Sequence, residues 1–175
     1  MLAVAVLAVL PLVPRPLPAV AATPLPAGWS ATFAALRLPP AAAVLVVPVP
    51  MATFTEPLRW QAGTGQPASF AGGYFMGPDP GGQAATDGRG LPQAARYLNA
   101  LWAEGDGGPA SASEVPQSYL RATAVTQAQL RAQIAAWRVT VVVAVTHQDS
   151  VLGRYLTDLL GPPSQVIGDV LAWRR

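Results

Sequence analysis

The stretch VTVVVAVTHQDSVLGRYLTDLLGPP, Val139 to Pro163, decides the fold. Val139 to Val145 is almost wholly apolar and β-branched, the pattern of a strand covered on both faces. Thr146-His147-Gln148-Asp149 is a polar turn, after which Val151, Leu152, Tyr155, Leu156, Leu159 and Leu160 recur at helical spacing. Gly161-Pro162-Pro163 then stops the helix. Strand, turn and helix in that order make one unit of an α/β protein.

Working outward, Thr126-Gln127-Ala128-Gln129 has the capping-box pattern, and Leu130, Ile134 and Trp137 share one helical face. Downstream, Gln165 to Arg174 alternates as a single strand, with Val170 and Ala172 on one face and Leu171 and Trp173 on the other. Toward the N-terminus, Ala41 to Val49 repeats the buried-strand signal. It follows a short helix at Ser30 to Leu38 that Pro39-Pro40 must end. Thr55, with Glu56 and Pro57 behind it, opens a further helix through Leu58 and Trp60, with Gly63 as its C-cap. Gln93 to Glu104 carries Tyr97, Leu98, Leu101 and Trp102 at helical spacing. The expected fold is α/β, a small open, mostly parallel sheet flanked by helices. A long Gly/Pro-rich excursion spans Gly63 to Gly90, with a short strand expected near Ser69-Phe70, and a surface loop spans Gly105 to Pro116.

Composition narrows the function classes. Of 175 residues, 51% are hydrophobic and 11% charged, against about 25% charged in an average soluble domain. That deficit points to a membrane neighbour. The basic residues are all arginine and, apart from Arg174-Arg175, spaced singly, so no stripe tracks a nucleic-acid backbone despite a pI near 9.5. The absence of cysteine excludes disulfides, thiolate catalysis and Cys-based metal sites.

Leu2 to Val13 is an apolar run of twelve residues, where a spanning helix needs about 20. It reads either as the end of a transmembrane helix in a longer gene product or as a signal-like segment with Ala19-Val20-Ala21 as a cleavage site. Residues 14–28 form a Pro-rich linker and residues 29–175 the folded domain, expected on the extracytoplasmic face and attached to the membrane through the apolar segment.

Ligands of open α/β sheets gather beyond the carboxyl ends of the strands, where His147 and Asp149 fall in one turn. The pair reads as a base held by a carboxylate, or as a solvated His beside an Asp that caps the next helix. Glu56, Arg59 and Trp60, with Tyr74, read as a sugar platform or, for the aromatics, as core. The Gly pairs match neither dinucleotide nor Walker spacing, no Ser elbow precedes the single His, and one His makes no metal site. No catalytic set, metal or cofactor is therefore assigned.

Val44-Leu45-Val46-Val47-Pro48, Leu58-Arg59-Trp60-Gln61-Ala62, Gly72-Gly73-Tyr74-Phe75, Val141-Val142-Val143, Leu160-Gly161 and Val170-Leu171-Ala172-Trp173-Arg174, after an apolar exit and a proline linker, form a recognisable order. It resembles the extracytoplasmic C-terminal domain of bacterial multi-pass membrane glycosyltransferases. The resemblance implies a parent enzyme that takes sugar from a polyprenyl-phosphate donor, with catalytic acids in loops between membrane helices, none of which this chain contains. It also implies an accessory role here, in contact with acceptor glycan or envelope polymer. The alternative is a non-enzymatic secreted or membrane-anchored domain that binds an envelope partner.

Overall fold

The computed structural model describes residues 24–51, 54–65, 68–72, 77–78, 84–85, 92–105 and 124–175. The apolar run at 1–13, most of the linker, Tyr74, most of the Gly/Pro-rich excursion and the loop after Gly105 lie outside the described residues.

The elements run α1 (Trp29–Leu36), β1 (Ala43–Val47), α2 (Glu56–Thr64), β2 (Ser69–Phe70), β3 (Gly77–Pro78), β4 (Ala84–Ala85), α3 (Gln93–Gly105), α4 (Gln127–Ala136), β5 (Val141–Val145), α5 (Val151–Leu160), β6 (Gln165–Ile167) and β7 (Val170–Arg174). Five strands form one open sheet in the order β2-β1-β5-β7-β6, and β3 pairs with β4 in a separate two-stranded ribbon. β1 is parallel to both β2 and β5. β7 runs antiparallel to both β5 and β6.

The sheet is therefore mixed rather than mostly parallel, and the reason is local. Gln165 to Arg174 is not one strand, because Gly168-Asp169 reverses the chain in two residues with Gly168 at φ 58°. A Gly that accepts positive φ ahead of a polar residue is standard hairpin chemistry. A two-residue reversal admits only antiparallel pairing, whereas a parallel neighbour needs a long crossover.

The apolar runs bury both faces of the sheet. On one face Val44, Val46, Val141, Val143, Val170 and Ala172 meet Trp29, Phe33 and Leu36 of α1 and Trp60 of α2. On the other, Leu45, Val47, Val142, Ala144, Leu171 and Trp173 meet α3, α4 and α5 through residues such as Leu98, Trp102, Leu130, Ile134, Leu152 and Leu156. This three-layer arrangement explains why β1 and β5 read as continuous apolar runs. Thr126 and Gln129 form the expected capping box at α4. α2 runs past Gly63 to its C-cap at Gly65, and α5 ends at Gly161 as its Gly-Pro-Pro stop requires.

Candidate functional site

After β1 the chain turns to α2 on the α1 face, and after β5 it turns to α5 on the opposite face. The chain thus leaves the carboxyl ends of these adjacent parallel strands toward opposite faces, the topological position at which open α/β sheets commonly receive ligands. Both strand exits are fixed by side chains from α3. The amide of Asn99, 2% exposed, donates to the Val49 carbonyl at 2.9 Å and accepts from the Val49 N–H at 2.6 Å. Trp102 Nε1 donates to the Val145 carbonyl at 2.9 Å, and its ring packs 5.5 Å from Phe54.

The turn after β5 is held from below and left open above. Thr146 is buried, shares a 2.6 Å hydrogen bond between its hydroxyl and that of Ser150, and donates its N–H to the Asp169 carbonyl at 2.8 Å. Ser150 is the N-cap of α5, its hydroxyl accepting from the Gly153 N–H at 2.9 Å. Gly153 is required there, since a Cβ at that position would stand 2.2 Å from the His147 carbonyl oxygen. With the turn pinned in this way, His147 projects into solvent with its side chain 65% exposed.

The carboxylate nearest His147 is Asp169, with Oδ1 3.9 Å from Nδ1, not Asp149. β7 is antiparallel to β5 and Val170 pairs with Val145, so the β6–β7 turn returns to the carboxyl end of β5. Asp149 is exposed, contributes its backbone carbonyl to Arg154, and does not cap α5. At 3.9 Å, with the side chains 65% and 49% exposed, His147 and Asp169 make a solvent-screened pair and not a rigid proton-transfer dyad. The nearby Ser150 hydroxyl is already engaged by Gly153 and Thr146. Carboxylate, imidazole and the strand-end polar groups therefore offer directional donors and acceptors rather than an activated nucleophile.

The sugar-platform residues fall elsewhere. Trp60 is 4% exposed, with Trp29 stacked edge-on at 5.3 Å, so its ring belongs to the core and leaves no face for a sugar. Glu56 opens α2, with Oε2 buried and without a hydrogen-bond partner, and Arg59 is exposed on the same helix. Among the described residues, no group of three or more His, Asp or Glu is arranged to hold a metal, and no helix is long and apolar enough to cross a membrane.

Asn99, Thr146, Ser150 and Asp169 are site residues that the sequence reading did not single out. The signal for Asp169 was present, because Gly-Asp between two β-prone runs is a hairpin turn and a hairpin returns to its partner's end. Asn99 had no comparable signal. No protein-family model matches the chain, and neither a curated protein nor a solved structure matches it.

Proposed function

We propose that the chain is a non-catalytic extracytoplasmic α/β domain of a multi-pass membrane glycosyltransferase, and that it holds acceptor glycan in the crevice beyond β1 and β5. The observation that carries this reading is the state of that crevice. Its hydroxyls are committed to capping, while His147 and Asp169 present open, unaligned polar groups. A carboxylate beside an imidazole suits the paired hydroxyls of a sugar, and screened partners of this kind bind and release without chemistry. The glycosyltransferase context rests on the resemblance, five of whose six segments fall in β1, α2, β5, the end of α5 and β7, while Gly73-Tyr74-Phe75 lies outside the described residues.

The apolar run at Leu2 to Val13 and its proline linker support attachment to the membrane in this reading. The described chain begins at Pro24, and the Ala27 carbonyl accepts the Asp169 N–H at 2.9 Å. The end of the linker thus meets the domain beside Asp169, and in this reading that end of the sheet is the one turned toward the membrane.

The test is the coding sequence upstream of Met1, together with a periplasmic reporter fused behind the full chain. An open frame encoding several apolar helices, and a reporter active only outside the cytoplasm, are the expected results. A stop codon in frame just before Met1, or a reporter active in the cytoplasm, would overturn the membrane-enzyme reading.

A further inference from the structure

The ladder between β1 and β5 stops one bond short of where its register would carry it. Val47 and Ala144 are the last pair of the two strands. On the outer side of β1 the Val44 carbonyl accepts from the Ala71 N–H at 2.8 Å, so the alternate residues Leu45, Val47 and Val49 turn their backbone groups toward β5. β5 is phased to match by its other neighbour. Thr146 donates its N–H to the Asp169 carbonyl at 2.8 Å, so Val145 turns its backbone groups toward β1. The next bond in register would therefore run from the Val49 N–H to the Val145 carbonyl.

Both groups go to α3 instead. The Val49 N–H donates to Asn99 Oδ1 at 2.6 Å, and the Val145 carbonyl accepts from Trp102 Nε1 at 2.9 Å. Asn99 and Trp102 stand three residues apart, on one face of the helix, and both are buried. The Trp102 ring also packs on Phe54, in the segment that leaves β1. At the end of α3, a Cβ on Gly105 would stand 3.0 Å from the backbone nitrogen of Val151, the first residue of α5. One helix thus touches the exits of both strands and the helix that follows β5. The Val145 carbonyl and the Thr146 N–H belong to a single planar peptide unit. Trp102 holds that unit from one side and Asp169 from the other, and His147 is the next residue along the chain.

We propose that Trp102 and Asn99 are positioning residues for the crevice. By taking the two ends of the unmade ladder bond they keep β1 and β5 from pairing further, and they set the His147 turn against the segment that leaves β1. Both act from beneath, through the backbone they hold. The consequence for glycan affinity rests on the reading of the crevice as a glycan site; the consequence for the His147 turn does not.

The experiment is amide hydrogen exchange on the nitrogen-15-labelled full chain, comparing Trp102→Phe with Trp173→Phe. Trp173 is the matched control, buried in the same core, with its Nε1 donating at 2.9 Å to the carbonyl of Gly161 at the far end of α5. Each substitution keeps an aromatic ring and removes one indole hydrogen bond. In Trp102→Phe the Thr146 and Gly153 amides should exchange at least about tenfold faster than the change in global stability accounts for, whereas in Trp173→Phe they should follow it. Titrated with neutral oligosaccharides from the bacterial envelope, Trp102→Phe alone should bind at least about threefold more weakly. Benzothienylalanine in place of Trp102, which exchanges the N–H for sulfur and keeps the bicyclic shape, decides the point if Trp102→Phe melts early. Exchange at Thr146 and Gly153 that rises equally in both variants, or only with global instability, would overturn the proposal, as would full affinity in a folded Trp102→Phe variant whose parent binds glycan. A parent chain that binds no glycan while the exchange contrast holds would count against the glycan reading and not against the positioning role.

Discussion

His147 and Asp169 come from different turns, one leaving β5 and one joining β6 to β7, and meet at 3.9 Å beyond the carboxyl end of β5. The antiparallel return of β7 makes the meeting obligatory: once Val170 pairs with Val145, the residue before it lies over the turn that follows β5. Because both side chains are largely open to solvent, replacing either is a surface change. Asp169→Asn and His147→Ala should each alter stability by no more than about 0.5 kcal/mol in urea denaturation while weakening glycan binding.

Asn99→Ala should behave in the opposite way. It removes both hydrogen bonds that hold the backbone of Val49 and leaves that buried N–H and carbonyl without partners. A loss of about 1–3 kcal/mol is expected, again read from urea denaturation, with no change in the slope of the transition.

Two glycines should respond to alanine with opposite signs. Gly153→Ala drives a Cβ against the His147 carbonyl at 2.2 Å and the Gln148 carbonyl at 2.8 Å, backbone atoms that cannot swing away. A loss of about 1–3 kcal/mol is expected, with the His147 turn displaced. At Gly63, inside α2 with nothing within 4 Å, Ala should add up to about 0.5–1 kcal/mol by helix propensity. Thermal melting of both variants checks the contrast.

Burial, reinforced by Tyr97 and opposed by Arg131, raises the Tyr155 phenol above its ordinary value of 10.0. The unfolded chain therefore releases this proton before the folded one does. Stability from this group is complete below pH 10, and is lost as pH rises from there through the folded value. Tyr155→Phe should show a shallower decline in melting temperature above pH 10 than the unsubstituted chain.

The layers of the fold were legible because they rest on repeated local signals. Val44 to Val47 and Val141 to Val145 announced buried strands, and α5 had both its apolar stripe and its stop. The opposite faces of Val170, Ala172 and of Leu171, Trp173 were also readable, since both pairs are buried in the cores those faces serve. The final reversal escaped because alternation continues across Gly168-Asp169, so periodicity alone reads one strand where the turn residues specify two. That misreading gave the sheet the wrong sense and His147 the wrong partner. The helix cap shifted for a related reason: Asp149 and Ser150 are both good N-caps, and the residue directly before Val151 is the serine. Trp60 looked like a ligand platform only while Trp29 was distant in sequence, because a core contact between two helices leaves no local trace.

Glycan binding without turnover beyond the carboxyl ends of β1 and β5 is read from amide chemical shifts. The full chain, labelled with nitrogen-15, would be titrated with neutral oligosaccharides from the bacterial envelope while the sugar is followed for turnover. Saturable shifts are expected at Thr146 to Ser150 and at Gly168 and Asp169, reduced in Asp169→Asn, with the sugar recovered intact. Shifts confined to other parts of the sheet, no shifts at all, or hydrolysed or transferred sugar would contradict it.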